Sequence, residues 1–142
     1  MRPGPGCRER GNAALEIVIL GPVLLFLFGL LIAAGRTSIA QGSVAAAARD
    51  AARQASISRD PAAAQAAALA SAQQALSQDA IDCTPVVTVN TGGFAVAVGL
   101  PARVTARVTC QVPLSDLLVP GMPGSRTLRA SFTSPLDPYR AR

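Results

Sequence analysis

The chain has 142 residues, half of them hydrophobic, which leaves room for one modest domain beside a membrane segment. Histidine and tryptophan are absent, every one of the 13 basic residues is arginine, and the eight acidic residues are scattered. The usual general base and the commonest metal ligand are therefore missing, so an enzyme is not expected, nor is a metal or other cofactor. The net charge of +5 invites a nucleic-acid partner. The arginines are spread along the chain, however, and too few aromatic side chains are available to stack on bases, so no nucleic acid is expected either.

The N-terminus reads "MRPGPGCRERG", a basic leader over residues 1–11. From Ile17 to Ala34 run 18 residues without a charge. With Leu15 and Gly35 they are enough to cross a hydrocarbon core of about 30 Å, and a membrane helix is predicted over residues 12–35. Arg2, Arg8 and Arg10 precede it, so the positive-inside rule keeps the N-terminus in the cytoplasm and sends the remainder outward. Pro22 removes one helical hydrogen bond and is expected to kink the helix. Gly21, Gly29 and Ala33 are small enough to admit a neighbouring helix, the last two with small-xxx-small spacing. A secretory signal peptide shares the basic start and apolar run. Against it stand the length of the run, a carboxylate at its start and the helical sequence that follows.

Residues 36–80 are alanine-rich and predict an amphipathic helical arm. Ala47, Ala51 and Ala55 form a ridge at i, i+4 spacing, while Arg49 and Arg53 share another face. A fresh helix is predicted at "RDPAAAQ", with Asp60 as N-cap and Pro61 in the first helical position. Alanine favours helix but buries little area per residue, so these helices need another surface to lean on. Residues 81–142 supply it as an antiparallel sheet. "CTPVVTVN" reads as a strand, "TGG" as a turn and "FAVAVGL" as a second strand. "ARVTARVTCQV" alternates, with Val104, Ala106, Val108, Cys110 and Val112 on one side and polar residues on the other. "RTLRASF" alternates again and is expected to turn Leu128, Ala130 and Phe132 inward. The fold class is α+β: one transmembrane helix, a helical arm and a small external sheet.

Cys83 and Cys110 both follow the span, where oxidising conditions favour a disulfide. The alternative is a pair of buried free thiols. Cys7 lies on the other side of the membrane and cannot join them.

Glu16 is the unusual residue, a carboxylate at the mouth of an apolar run. Cleavage after Gly11 would make Asn12 the first residue and expose its amine. Glu16 would then be the fifth residue, one helical turn (about 6 Å) from that amine on the same face. There it could neutralise the amine of its own chain or of a neighbour, and it also favours the helix dipole. The alternative is an interfacial glutamate that snorkels.

A basic leader, Gly11, an apolar helix with glutamate at the fifth position, Pro22 and the later "GR…VAAAARDAAR" segment resemble TadE-like proteins, best over residues 10–53. These are pilin-like minor components of the tight-adherence (Flp-type) pilus apparatus. The resemblance implies processing between Gly11 and Asn12 by a prepilin peptidase. It also implies a membrane pseudopilin, and lateral packing of its helix is expected through Glu16, Pro22, Gly29 and Ala33. The implied partners are other pilin-like subunits, the inner-membrane assembly platform and membrane lipid. Two departures are leucine before Glu16 and a leader whose only cations are three arginines. Two other classes of function share this layout: a membrane-tethered binding module with an intact leader, and a secreted protein released by signal peptidase.

Overall fold

Between Gly35 and Asp60 no Pro/Gly pair interrupts the run of helix formers, and the backbone follows that continuity. The structure, a computed structural model, describes residues 9–117 and 123–139, with side chains from residue 16 onward within them. The leader residues 1–8, Cys7 among them, and part of the Pro/Gly loop before the last strand lie outside the described residues. Helix α1 spans Glu9–Ile57, 49 residues in one unbroken element that runs through Pro22. At 1.5 Å per residue it is about 73 Å long.

Helix α2, Pro61–Gln78, starts where its caps direct. The Asp60 carboxylate accepts the Ala63 N–H at 2.8 Å, and Pro61 occupies the first turn, where no donor is needed. Its end is a Schellman motif: Ile81 N–H donates to the Leu76 carbonyl and Ala80 N–H to that of Ser77. The left-handed position of this motif is held by Ala80, at φ 53°, where glycine is usual.

Three antiparallel strands follow: β1 (Val86–Asn90), β2 (Ala102–Pro113) and β3 (Ser125–Leu136), in the order β1-β2-β3. A single turn, α3 (Leu114–Leu117), follows β2. The alternation in β2 is complete. Ala102, Val104, Ala106, Val108, Cys110 and Val112 are buried, and the residues between them face outward. Against this inner face lies the second half of α1, with Ala47, Ala51 and Ala55 fully buried, beside Ala64, Ala68, Ala72 and Leu76 of α2. Small side chains let the backbones approach closely, so dispersion between many atoms replaces the area that alanine lacks. The helical arm is thus the floor of the head and not a stalk beneath it.

Two expectations fail. "FAVAVGL" is not a strand: Gly92–Ala95 form a 3₁₀ turn, and the chain bends onward through Gly99 at φ 91°. β2 already pairs β1 on one side and β3 on the other, so no ladder position is left for it. Gly93 packs so closely on the Arg103 carbonyl that a Cβ there would collide with it. Phe94 and Val96 use their apolar character to pack against the core from a turn. Phe132 is the other failure. Its register opposite Ala106 puts it on the inner face, yet it is 43% exposed. β3 is an edge strand, and the alanine and serine surface of α1 packed closely beneath leaves little room for a phenyl ring.

Candidate functional site

The two halves of α1 face different surroundings. From Ile17 to Ile32 the large apolar side chains are exposed, Ile17 by 71% and Leu25 by 74%, whereas Val44 and Ala47 are wholly buried. Among the described residues, α1 is the helix long and apolar enough to cross a membrane, and its apolar window has no protein covering it. In water such a surface would be a severe liability; in lipid it is the expected one.

Glu16 is exposed on this helix, at the N-terminal margin of the apolar run. Gly11 and Asn12 are helical in backbone, which places Asn12 one turn before Glu16, while their side chains lie outside the described residues. Pro22 is exposed within the helix. A Cβ on Gly29 would meet nothing within 4 Å, and Ala33 one turn later is half-buried. The Thr37 hydroxyl donates to the Ala33 carbonyl at 2.9 Å, hiding its own polarity where the helix leaves the apolar run. Glu16, Pro22, Gly29 and Ala33 therefore lie along one helix, with no other described element of the chain covering the apolar window.

The head is held by features of two kinds. Cys83 and Cys110 are joined in a disulfide, their Cα atoms 5.9 Å apart, with Cys110 fully buried in β2. Side chains of the helices also reach the sheet margins. Gln65 on α2 donates to the Val87 carbonyl at 2.7 Å and accepts the Val89 N–H at 3.0 Å, mimicking one more strand beside β1. Gln41 on α1 donates to the Arg129 carbonyl of β3 at 3.0 Å. These glutamines close positions at which another chain could pair. Sequence reasoning missed both, because a glutamine on a helix signals only a polar face until its neighbour is known.

At the foot of the head, just past the apolar run, is a groove of about 210 Å³. Arg36 and Ile39 of α1 line one side, Ile81 and Asp82 after α2 another, and Asp116 with Leu117 of α3 a third. On the outer sheet face the exposed cations are Arg103, Arg107 and Arg129, set among threonines and serines. Among the described residues, no group of three or more His, Cys, Asp or Glu side chains is placed to hold a metal ion.

Residues 11–53 match the family model for TadE-like protein. This stretch is similar to the TadE-like family. The match begins at Gly11 and ends at Arg53, so the matched segment lies wholly within α1 and includes both its exposed apolar half and its buried half. The sheet, α2 and the disulfide fall outside it. No curated protein and no solved structure matches the chain.

Proposed function

We propose that the chain is a membrane-anchored, pseudopilin-like component that helps to assemble a tight-adherence (Flp-type) pilus or a related secretion apparatus. One observation carries this reading: the TadE-like match coincides with a single helix that is bare and apolar in its first half and built into a head in its second. Such a chain acts by packing, not by catalysis. The bare half associates sideways with other pilin-like subunits in the bilayer, and the head meets the subunits or the inner-membrane assembly platform.

The arginines of the leader favour a cytoplasmic N-terminus, which places the head outside, where its disulfide is stable. A prepilin peptidase cleaving after Gly11 would expose the Asn12 amine. Glu16 supplies the complementary charge, of most value where water is scarce.

The test separates processing from assembly. Gly11→Leu should block cleavage and leave a full-length membrane chain, read by N-terminal sequencing. Glu16→Gln should be cleaved and inserted normally, since an amide crosses lipid more easily than an ion, yet lose co-purification of partner subunits and surface piliation. Normal piliation by both variants would refute the pseudopilin mechanism.

A further inference from the structure

We propose that the groove at the foot of the head binds the headgroup of a primary-amine phospholipid, of the phosphatidylethanolamine class, with Arg36 on the phosphate and Asp82 and Asp116 on the ammonium. This rests on the membrane reading above, because it takes the end of the apolar run as the bilayer surface.

Height is the first argument. If Gly35 marks the edge of the hydrocarbon, Arg36 to Ala40 rise about 1.5–7.5 Å above it. The polar layer on each side of a bilayer core is about 5–7 Å thick. The groove therefore lies at headgroup level. The head brings two further elements down to that level. Helix α2 runs back along α1 so that Ile81 and Asp82 reach the groove, and the end of β2 delivers Asp116 and Leu117 through α3.

Charge is the second. Two carboxylates and one guanidinium line the same groove, whose apolar floor includes Val112 and Leu117. A bare anion would satisfy Arg36 and add a third negative charge beside the aspartates. A simple amine would leave Arg36 unmatched. A zwitterion with phosphate and ammonium a few bonds apart matches both signs, and its glycerol end can lie along the apolar floor toward the bilayer. The lining is also selective among zwitterions. Among the described residues the lining has no aromatic side chain, so it offers no cage for a quaternary ammonium. Carboxylates instead favour a cation that can donate charge-assisted hydrogen bonds, which ethanolamine can and choline cannot.

The experiment uses the full chain reconstituted in bilayers of equal parts phosphatidylethanolamine, phosphatidylcholine and phosphatidylglycerol, then gently extracted, with the retained lipids counted by mass spectrometry. Flotation with vesicles of phosphatidylcholine alone is run in parallel. The wild type should float, and its retained lipid should be enriched in phosphatidylethanolamine at least five-fold over each of the other two. The exposed pair Asp82→Asn with Asp116→Asn should float equally and keep its disulfide but lose the enrichment, while Arg36→Gln should reduce retention of all three lipids. Flotation without enrichment, enrichment of phosphatidylglycerol, or enrichment that survives the double substitution would overturn the headgroup proposal and leave the membrane reading standing. Failure of the wild type to float would overturn both.

Discussion

Replacing Cys83 by serine should cost the head about 3.6 kcal/mol, and the two ends of the same disulfide should not be equivalent. Cys83 and Cys110 are 27 positions apart, closing a loop that contains β1, the 3₁₀ turn and most of β2. Loop-closure entropy for about 28 residues gives that value at 25 °C, in a treatment that assigns the effect to the unfolded chain. Cys83 is half-buried, so a serine there is hydrated and adds little. Cys110 is wholly buried on the inner face of β2, and a serine there strands a hydroxyl among valines at a further cost of about 1–3 kcal/mol. The assay is hydrogen exchange in β2 peptides of the full chain in detergent micelles, followed across urea concentrations, which reports opening of the head. Oxidised wild type should be the most protected, Cys83→Ser should coincide with reduced wild type, and Cys110→Ser should remain below both even with reductant. If reduction leaves wild-type protection within about 1 kcal/mol of the oxidised value, the loop argument is wrong. Should both serine variants coincide, the burial argument fails instead.

Other substitutions test the remaining joints of the head. Ala80→Gly should stabilise it by about 1 kcal/mol, since alanine holds the left-handed residue of a Schellman motif, and a rise in melting temperature of several degrees would show it. Gly93→Ala should destabilise by at least about 1–3 kcal/mol, because the new methyl meets the Arg103 carbonyl, and urea titration would reveal the loss. Ala51→Leu, at a fully buried contact of α1, should cost about 1–3 kcal/mol by overpacking, whereas Arg49→Leu on the exposed face should change stability little by the same titration. Gln65→Ala removes two hydrogen bonds from the margin of β1 and should lower stability by about 1–2 kcal/mol. Light scattering should also show faster association of its heads at high concentration.

What the sequence discloses about this molecule follows from how local each determinant is. The apolar run, the Asp60 and Pro61 cap, and the strict alternation of β2 are written in adjacent residues, and all three appear where periodicity puts them. The ridge of Ala47, Ala51 and Ala55 is equally local, and so the buried face of α1 is legible before any partner is known. The failures are determined at a distance. Whether Phe94 to Leu100 forms a strand depends on which strands already flank β2, and one of them, β3, begins only at Ser125. Phe132 alternates correctly but sits at an edge over small side chains, a fact of packing density that parity cannot express. The groove at the foot of the head unites residues 36, 82 and 116, and Gln65 acquires its partner only once α2 lies against β1. Glu16, by contrast, is conspicuous in the sequence and uninformative in an isolated chain, since the partner proposed for it belongs to another chain or to a processed end.

Because the proposed anchor and the core are one helix, the molecule on that reading has no joint at the membrane surface. From Arg36 to Ile57 the helix rises about 33 Å inside the head, and that part is fastened to the sheet along its length. A tilt of about 20°, ordinary for a single span, would therefore sweep the far end of the head sideways by about 11 Å. Bilayer thickness and the crowding of neighbouring spans act on the short arm of a lever, and the head moves as the long one. A force drawing the helix out of the bilayer would act in the same way, lifting the sheet rigidly instead of stretching a linker, so displacement in the membrane becomes motion of the head without loss.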